Sequence, residues 1–163
     1  MWQLLRARRG KKAAVAFIAP LVAASRHGAL REIPERAWLT PYMVGFMGML
    51  ISLVAQRAAS GLNSDVLGIV QVEAWRSITG DKQHPIGEDI CLLSTDGNHE
   101  FEDGCSSARR FLAALDEAGV HMYPDVLSHH GEAHGAGFDH STAQTLWADY
   151  FEAHIDSSSE PQG

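Results

Sequence analysis

The sequence predicts an all-α protein, an irregular bundle of about five or six helices with a His/Gly-rich loop before the last helix. Three observations support this fold class. Apolar residues recur at three- and four-residue spacing through most of the chain, which is the period of an amphipathic helix. Proline, glycine and capping residues divide this pattern into segments of helical length. With 163 residues, the chain is also long enough to bury a core without disulfides.

The chain length predicts one domain. Residues 1–155 are expected to form a single helical domain, because 163 residues fit one domain comfortably and no internal repeat is present. Residues 156–163 are polar and rich in serine, and we expect them to form a disordered C-terminal tail.

The first helix is predicted over residues 2–27, where apolar residues follow a helical spacing. Gly10 is expected to interrupt it and Pro20 to kink it, because glycine weakens a helix and proline removes a backbone donor. Gly28 is a suitable residue to end it. A short helical turn is then predicted around Pro34, which suits the first position of a helix.

The central helix is predicted over residues 41–59. Thr40 can cap it, and Pro41 suits its first position because proline lacks the N–H that would be unpaired there. The residues that follow are apolar on all sides, which indicates a helix buried at the centre of the fold. Gly45 and Gly48 are expected to let a neighbouring helix pack closely.

Three further helices are predicted from caps and spacing. The first begins at Asn63 and ends at Gly80, a short helix covers 86–95, and another covers about 100–118. The last helix is predicted to begin with a capping box at Ser141. It carries one apolar stripe, which is expected to dock either on the rest of the chain or on a partner, and which contains Leu146, Trp147, Tyr150 and Phe151.

Charge is unevenly distributed. Residues 1–36 hold eight of the 13 Lys/Arg and two of the 20 Asp/Glu, a net charge of +6, which leaves −13 on the remainder of a chain whose total is −7. We expect the basic first helix to pair with the acidic body, with an interaction arm as the alternative. Nucleic acid is an unsuitable partner, because the acidic body would repel phosphate.

No apolar run reaches the roughly 20 residues that a membrane-spanning helix needs. Residues 1–26 have the layout of a secretory signal, but Pro20 interrupts the apolar region and no clean cleavage site follows. We therefore expect a cytoplasmic protein. Export, or peripheral attachment of residues 1–26 to an anionic membrane surface, is the alternative.

Cys91 and Cys105 are too few for a disulfide framework, and we expect both to be reduced and mostly buried.

Histidine is the one concentrated chemical group. Proline and glycines between residues 120 and 140 predict a loop, and its candidate metal ligands are His129, His130, His134 and His140. Imidazole binds zinc and other transition metals, and Glu132 or Asp139 could complete a site. The alternative is a solvated polar loop without a ligand.

No complete catalytic motif is present: the sequence lacks Cys-x-x-Cys, His-Glu-x-x-His, Gly-x-Ser-x-Gly and a phosphate-binding glycine loop. The sequence therefore favours a non-enzymatic helical module that acts through protein contacts, as a homodimer. A metal-binding protein or metalloenzyme that uses the loop 129–140 is the alternative function.

Overall fold

The computed structural model describes residues 2–27, 33–81, 83–120 and 140–156. The described residues form helices and no strand, which confirms the all-α fold class. The helices are α1 (Trp2–His27), α2 (Glu35–Trp38), α3 (Pro41–Ala58), α4 (Ser64–Thr79), α5 (Ile86–Thr95), α6 (His99–Glu117), and a C-terminal run of α7 (His140–Trp147), a π-helical turn (Ala148–Glu152) and α8 (Ala153–Asp156).

Counted with the C-terminal run as one, the described residues contain seven helices. The predicted number of five or six helices was too low, because the short turn around Pro34 forms a separate four-residue helix, α2. Asp156 was predicted to begin the disordered tail, but it belongs to α8. Residues 157–163, the remainder of the predicted tail, lie outside the described residues. The His/Gly-rich loop also lies outside the described residues.

Helix α1 continues through both Gly10 and Pro20, so the predicted break at Gly10 was wrong. The reason is packing. Gly10 is buried, and a Cβ atom placed on it would lie 3.1 Å from the Cβ of Ala55 in α3. The close contact between the two helices offsets the backbone entropy that a helical glycine costs. Phe17, Ile18 and neighbouring residues of α1 enter the same core.

Helix α3 is the central helix, as predicted. The Thr40 hydroxyl accepts a hydrogen bond from the Met43 N–H at 3.4 Å, and Pro41 occupies the first turn. Eleven of the helix's 18 residues are buried, and α1, α4 and α6 all pack against it. None of the described helices combines the length and the apolar character needed to cross a bilayer.

A close helix crossing joins α3 to α6 through two glycines. A Cβ on Gly45 would overlap the carbonyl oxygen of Phe101, and a Cβ on Gly104 would overlap the carbonyl oxygen of Tyr42. The Cys105 thiol lies 3.5 Å from the Gly45 carbonyl oxygen. Gly45 therefore packs as predicted. Gly48 differs, because a Cβ there would meet only the Ile90 side chain at 3.5 Å, an ordinary contact distance.

Side-chain and glycine caps set the ends of α4 and α6. Asn63 accepts the Val66 N–H at 2.9 Å at the start of α4, and Gly80 ends that helix with a φ of 79°. Both were predicted. Asn98 accepts the Phe101 N–H at 3.0 Å at the start of α6, a cap that the sequence analysis missed.

The C-terminal run packs onto its own chain, which resolves the choice that the sequence left open. Trp147 and Phe151 are buried, and their rings stack with centroids 4.2 Å apart. The Trp147 indole N–H donates to the Ser25 hydroxyl of α1 at 2.8 Å. The sequence had predicted that Ser141 caps this helix. The described helix already includes His140, so Ser141 lies inside the helix and is not its cap.

Tyr42 and His154 join α3 to the end of the C-terminal run. Their rings stack with centroids 3.7 Å apart, and the Tyr42 hydroxyl donates to the Tyr150 carbonyl oxygen at 2.9 Å. Burial lowers the pKa of His154 below its usual value of 6.5 and raises the pKa of Tyr42 above 10.0.

The His154 shift predicts a pH-dependent stability. As the pH falls below 6.5, the unfolded chain takes up this proton before the folded chain does, so the free energy of unfolding decreases until the folded pKa is passed. His154→Phe keeps an aromatic ring against Tyr42 and should remove this part of the pH dependence. Urea unfolding of both chains between about pH 7.5 and 5 measures the difference. Parallel pH profiles for the two chains would contradict the assignment.

Candidate interaction surface

The predicted metal ligands are not brought together within the described residues. His129, His130 and His134 lie outside that part of the chain, and His140 begins α7 without a described side chain. Across residues 2–27, 33–81, 83–120 and 140–156, no three His, Cys, Asp or Glu side chains are placed to hold a metal ion. Metal binding by the loop therefore stays a prediction.

Large exposed apolar side chains occur at two places on the described surface. Ile69 on α4 is 59% exposed and Leu92 on α5 is 60% exposed. Trp2, Leu4 and Leu5 at the start of α1 form the second group. Single exposed apolar residues are ordinary on protein surfaces, whereas grouped ones indicate contact sites. Neither group was predicted from the sequence.

Helix α5 packs loosely on the rest of the fold. Ile86 is its one buried residue, and it meets α4 where a Cβ on Gly87 would lie 3.1 Å from the Val72 side chain. Ile90 reaches Gly48 of α3. Leu92 and its neighbour Cys91 are exposed. Ile90 and Leu93 pack partly buried against the core, so Cys91 and Leu92 are the apolar residues of α5 that stay open to another molecule.

Two stretches of α4 and α5 contain no charged residue, although Asp65, Glu73, Glu88 and Asp96 each lie one helical turn from Ile69 or Leu92. Residues 66–72 of α4 and 90–95 of α5 contain no Asp, Glu, Lys or Arg. We call the exposed part of these stretches the α4–α5 face. Gly68 lies one helical position from Ile69, and a Cβ placed there would meet nothing within 4 Å. Interface cores are depleted of charged residues in the same way.

A polar network holds α4 against α3 behind this face. The Gln71 side-chain amide donates to the Ser52 hydroxyl at 2.7 Å and to the Gly48 carbonyl oxygen at 3.3 Å. Ser52 is buried, and its hydroxyl donates to the same carbonyl at 2.7 Å. These bonds satisfy the buried hydroxyl and fix the rotation of α4, which keeps Ile69 on the outside.

The connector between α4 and α5 forms an open polar groove of about 580 Å³, which the sequence analysis missed. Asp81 accepts the backbone N–H groups of Gln83 at 2.9 Å and His84 at 3.1 Å, and these hydrogen bonds lower the pKa of Asp81. The His84 imidazole contacts the Asp89 carboxylate of α5 at 2.5 Å. Both contacts orient α5 where it leaves the connector. Glu35 lines the groove from α2.

The two thiols differ in their surroundings. Cys105 is buried as predicted, and burial raises the pKa of its thiol, which suppresses the reactive thiolate. Cys91 is exposed, so the expectation of two buried cysteines was wrong for this residue. The reason is the loose packing of α5. Cys91 is therefore an accessible thiol beside Leu92 on the α4–α5 face.

The predicted pairing of the basic first helix with the acidic body involves one side chain among the described residues. Lys11 contacts Glu73 of α4 at 3.1 Å. Arg6, Arg8, Arg9 and Lys12 are exposed.

No protein-family model matches the chain, and neither curated proteins nor solved structures contain a significantly similar one.

Proposed function

We propose that the protein is a non-enzymatic helical interaction module that forms a homodimer through the α4–α5 face. One observation carries the proposal: Ile69 on α4 and Leu92 on α5, two helices that contact each other, are about three-fifths exposed, and each lies in a stretch without a charged residue. Most other large apolar side chains of the described residues are wholly or partly buried. A two-fold interface would then contain four of these exposed apolar side chains, two from each copy.

Charge favours a second copy as the occupant. Each chain carries a net charge of −7, so two copies repel one another over most of their surfaces. Residues 66–72 and 90–95 hold no carboxylate, so a contact centred on these stretches leaves Asp65, Glu73, Glu88 and Asp96 at its edge and brings fewer like charges together than other parts of the acidic surface. An open Cβ position at Gly68 also lets the backbone of a partner helix approach closely.

The apolar contribution supports a moderate affinity. Complete burial of an Ile or Leu side chain contributes about 1.5–3 kcal/mol, and the residues on the face are already partly covered. Association costs several kcal/mol in lost rotation and translation. A dissociation constant on the order of micromolar, which is about −8 kcal/mol, is therefore expected only if the contact also covers the partly buried Leu67 and Leu93 of the same stretches.

Leu92→Asp should convert the dimer into a monomer, because it places a carboxylate in the centre of the apolar contact. Sedimentation velocity should give twice 17.8 kDa for the unchanged chain and 17.8 kDa for the variant. Leu5→Asp is the matched control, since Leu5 is also an exposed leucine but lies on α1.

Two outcomes contradict this proposal. An unchanged chain that stays monomeric up to about 100-fold above micromolar concentration removes the dimer. A dimer that survives Leu92→Asp and Ile69→Asp places the interface elsewhere. Far-UV circular dichroism on each variant verifies that it is folded.

A cytoplasmic location belongs to the same proposal, supported by the unpaired, exposed Cys91 thiol. The segment that resembles a secretory signal also contributes Phe17, Ile18 and Leu21 to the core.

Metal binding remains the second proposal, supported by four histidines within residues 129–140. Calorimetric titration of the untagged chain with zinc tests it. One tight equivalent that is lost when His129, His130, His134 and His140 are replaced by alanine supports it, and no tight equivalent contradicts it.

A further inference from the structure

The outer side of α1 carries a continuous exposed stripe. Trp2, Leu5, Arg9, Lys12 and Ala16 follow one another at spacings of three and four residues, and all five are exposed. We call these residues the α1 outer stripe. At 1.5 Å per residue it is about 21 Å long. It runs along the side of α1 that faces away from the core.

The inner side of α1 is occupied by the fold. Gly10 and Ala14 are buried, and the Gln3 amide lies 3.4 Å from the Gly61 carbonyl oxygen. Lys11 contacts Glu73 on α4. The outer side of the first turns of α1 is therefore open to another surface, whereas the inner positions from Ala14 onward belong to the core.

The charge of this surface is of one sign. Residues 2–12 contain five Lys/Arg and no Asp or Glu. Arg6 and Arg8 flank the α1 outer stripe and are also exposed. An anionic partner is complementary to this surface, whereas the rest of the chain, with its excess of carboxylates, would be repelled by the same partner. The charge distribution thus orients α1 toward an anionic surface.

Apolar side chains distinguish among anionic partners. Trp2 is 78% exposed, Leu4 68% and Leu5 54%, all within four positions of the chain. Nucleic acid phosphates would use the cations but would leave these side chains in water. An anionic bilayer binds both the cations and the apolar side chains, because its headgroups attract Lys and Arg while its interface accepts tryptophan and leucine.

We infer that the first three turns of α1 bind anionic membrane surfaces, with the α1 outer stripe facing the lipid. Trp2 and Leu5 enter the boundary between headgroups and acyl chains. Arg9 and Lys12 contact the headgroup charges, and each cation near the leaflet strengthens binding about fivefold. This attachment is separate from the α4–α5 face and does not depend on the proposed dimer.

Trp2 is a built-in probe for this contact. The chain has four tryptophans, and Trp38, Trp75 and Trp147 are all buried, so Trp2 supplies the solvent-exposed emission. Vesicles with about 30% phosphatidylserine should shift the emission to the blue and protect it from iodide quenching. Pure phosphatidylcholine vesicles should do neither. Raising the salt from about 50 to 500 mM should lower binding at least tenfold.

Matched variants separate the charge from the apolar contribution. Arg9→Glu with Lys12→Glu should weaken co-sedimentation with the anionic vesicles more than 25-fold, since about fivefold is lost for each cation and repulsion is added. Arg109→Glu, an exposed arginine on α6, is the charge control and should retain binding. Trp2→Phe should keep binding while losing the fluorescence response.

Three results would overturn this inference. They are equal binding to phosphatidylcholine vesicles, vesicle binding without a change in Trp2 emission, and binding to duplex DNA that matches binding to anionic vesicles. The two proposals fail independently. Leu5→Asp should abolish vesicle binding without changing the mass of the dimer, whereas Leu92→Asp should convert the dimer into a monomer and keep vesicle binding. A loss of self-association in the Arg9→Glu/Lys12→Glu chain would assign the basic surface to a second copy.

Discussion

Gly104→Ala is expected to destabilise the fold by about 3 kcal/mol or more, the upper part of the range for overpacking. The added methyl group would overlap the Tyr42 carbonyl oxygen and lie 2.8 Å from the Phe46 backbone nitrogen. Both obstacles are backbone atoms, so no side-chain rotation relieves the overlap. The two helices must separate, and the Phe46–Phe111 contact between them loosens.

Urea unfolding followed by circular dichroism measures this effect, and a melting temperature lowered by about 6–12 °C is the thermal equivalent. Gly68→Ala is the matched control, because it is the same substitution inside a helix with nothing within 4 Å of the new methyl group. It should stabilise the monomer by up to about 1 kcal/mol. Equal effects at the two positions would contradict the close α3–α6 crossing.

Trp147→Ala is expected to cost about 3–5 kcal/mol, as is usual for removing a buried aromatic side chain. The indole is 1% exposed and contacts the rings of Phe46, Phe111 and Phe151. Its N–H bond to Ser25 is lost as well. The C-terminal run would lose these ring contacts with α3 and α6 and its hydrogen bond to α1.

Trp2→Ala provides the control for this substitution, since Trp2 is 78% exposed and its removal should change stability by less than about 0.5 kcal/mol. Denaturant unfolding of the two variants is the comparison. In addition, limited proteolysis should cleave the Trp147→Ala chain first within the C-terminal run. Similar stabilities for the two alanine variants would show that the C-terminal run contributes little to the core.

Local signals in the sequence were sufficient to predict most helix boundaries. Thr40, Asn63 and Gly80 act through their own backbone and side-chain atoms, so their effect on helix ends does not depend on the rest of the fold. Gly10 was misjudged because its role is set by Ala55, 45 positions away in the sequence. A glycine that breaks a helix and one that admits a neighbouring helix look the same in sequence.

The candidate surface was harder to predict. Leu92 and Cys91 lie in an apolar segment, Ile90–Leu93, which sequence patterns interpret as buried. Their exposure results from how α5 rests on Val72 and Gly48, which is a tertiary property. Leu4 and Leu5 were likewise included in the apolar pattern of α1, although they are exposed and the fully buried apolar residues of that helix begin at Ala14. Periodicity identifies the apolar side of a helix but not whether another helix covers it.

Alkylation of Cys91 in the unmodified chain, followed as a function of protein concentration, tests the central claim most directly. The Cys91 thiol lies beside Leu92 on the α4–α5 face. Cys105 is buried, so it contributes little to the measured alkylation while the protein is folded. If two copies meet through this face, the alkylation rate should fall several-fold as the concentration rises through the micromolar range, and Leu92→Asp should restore the rate found at high dilution. A rate that is the same at every concentration would contradict self-association through the α4–α5 face.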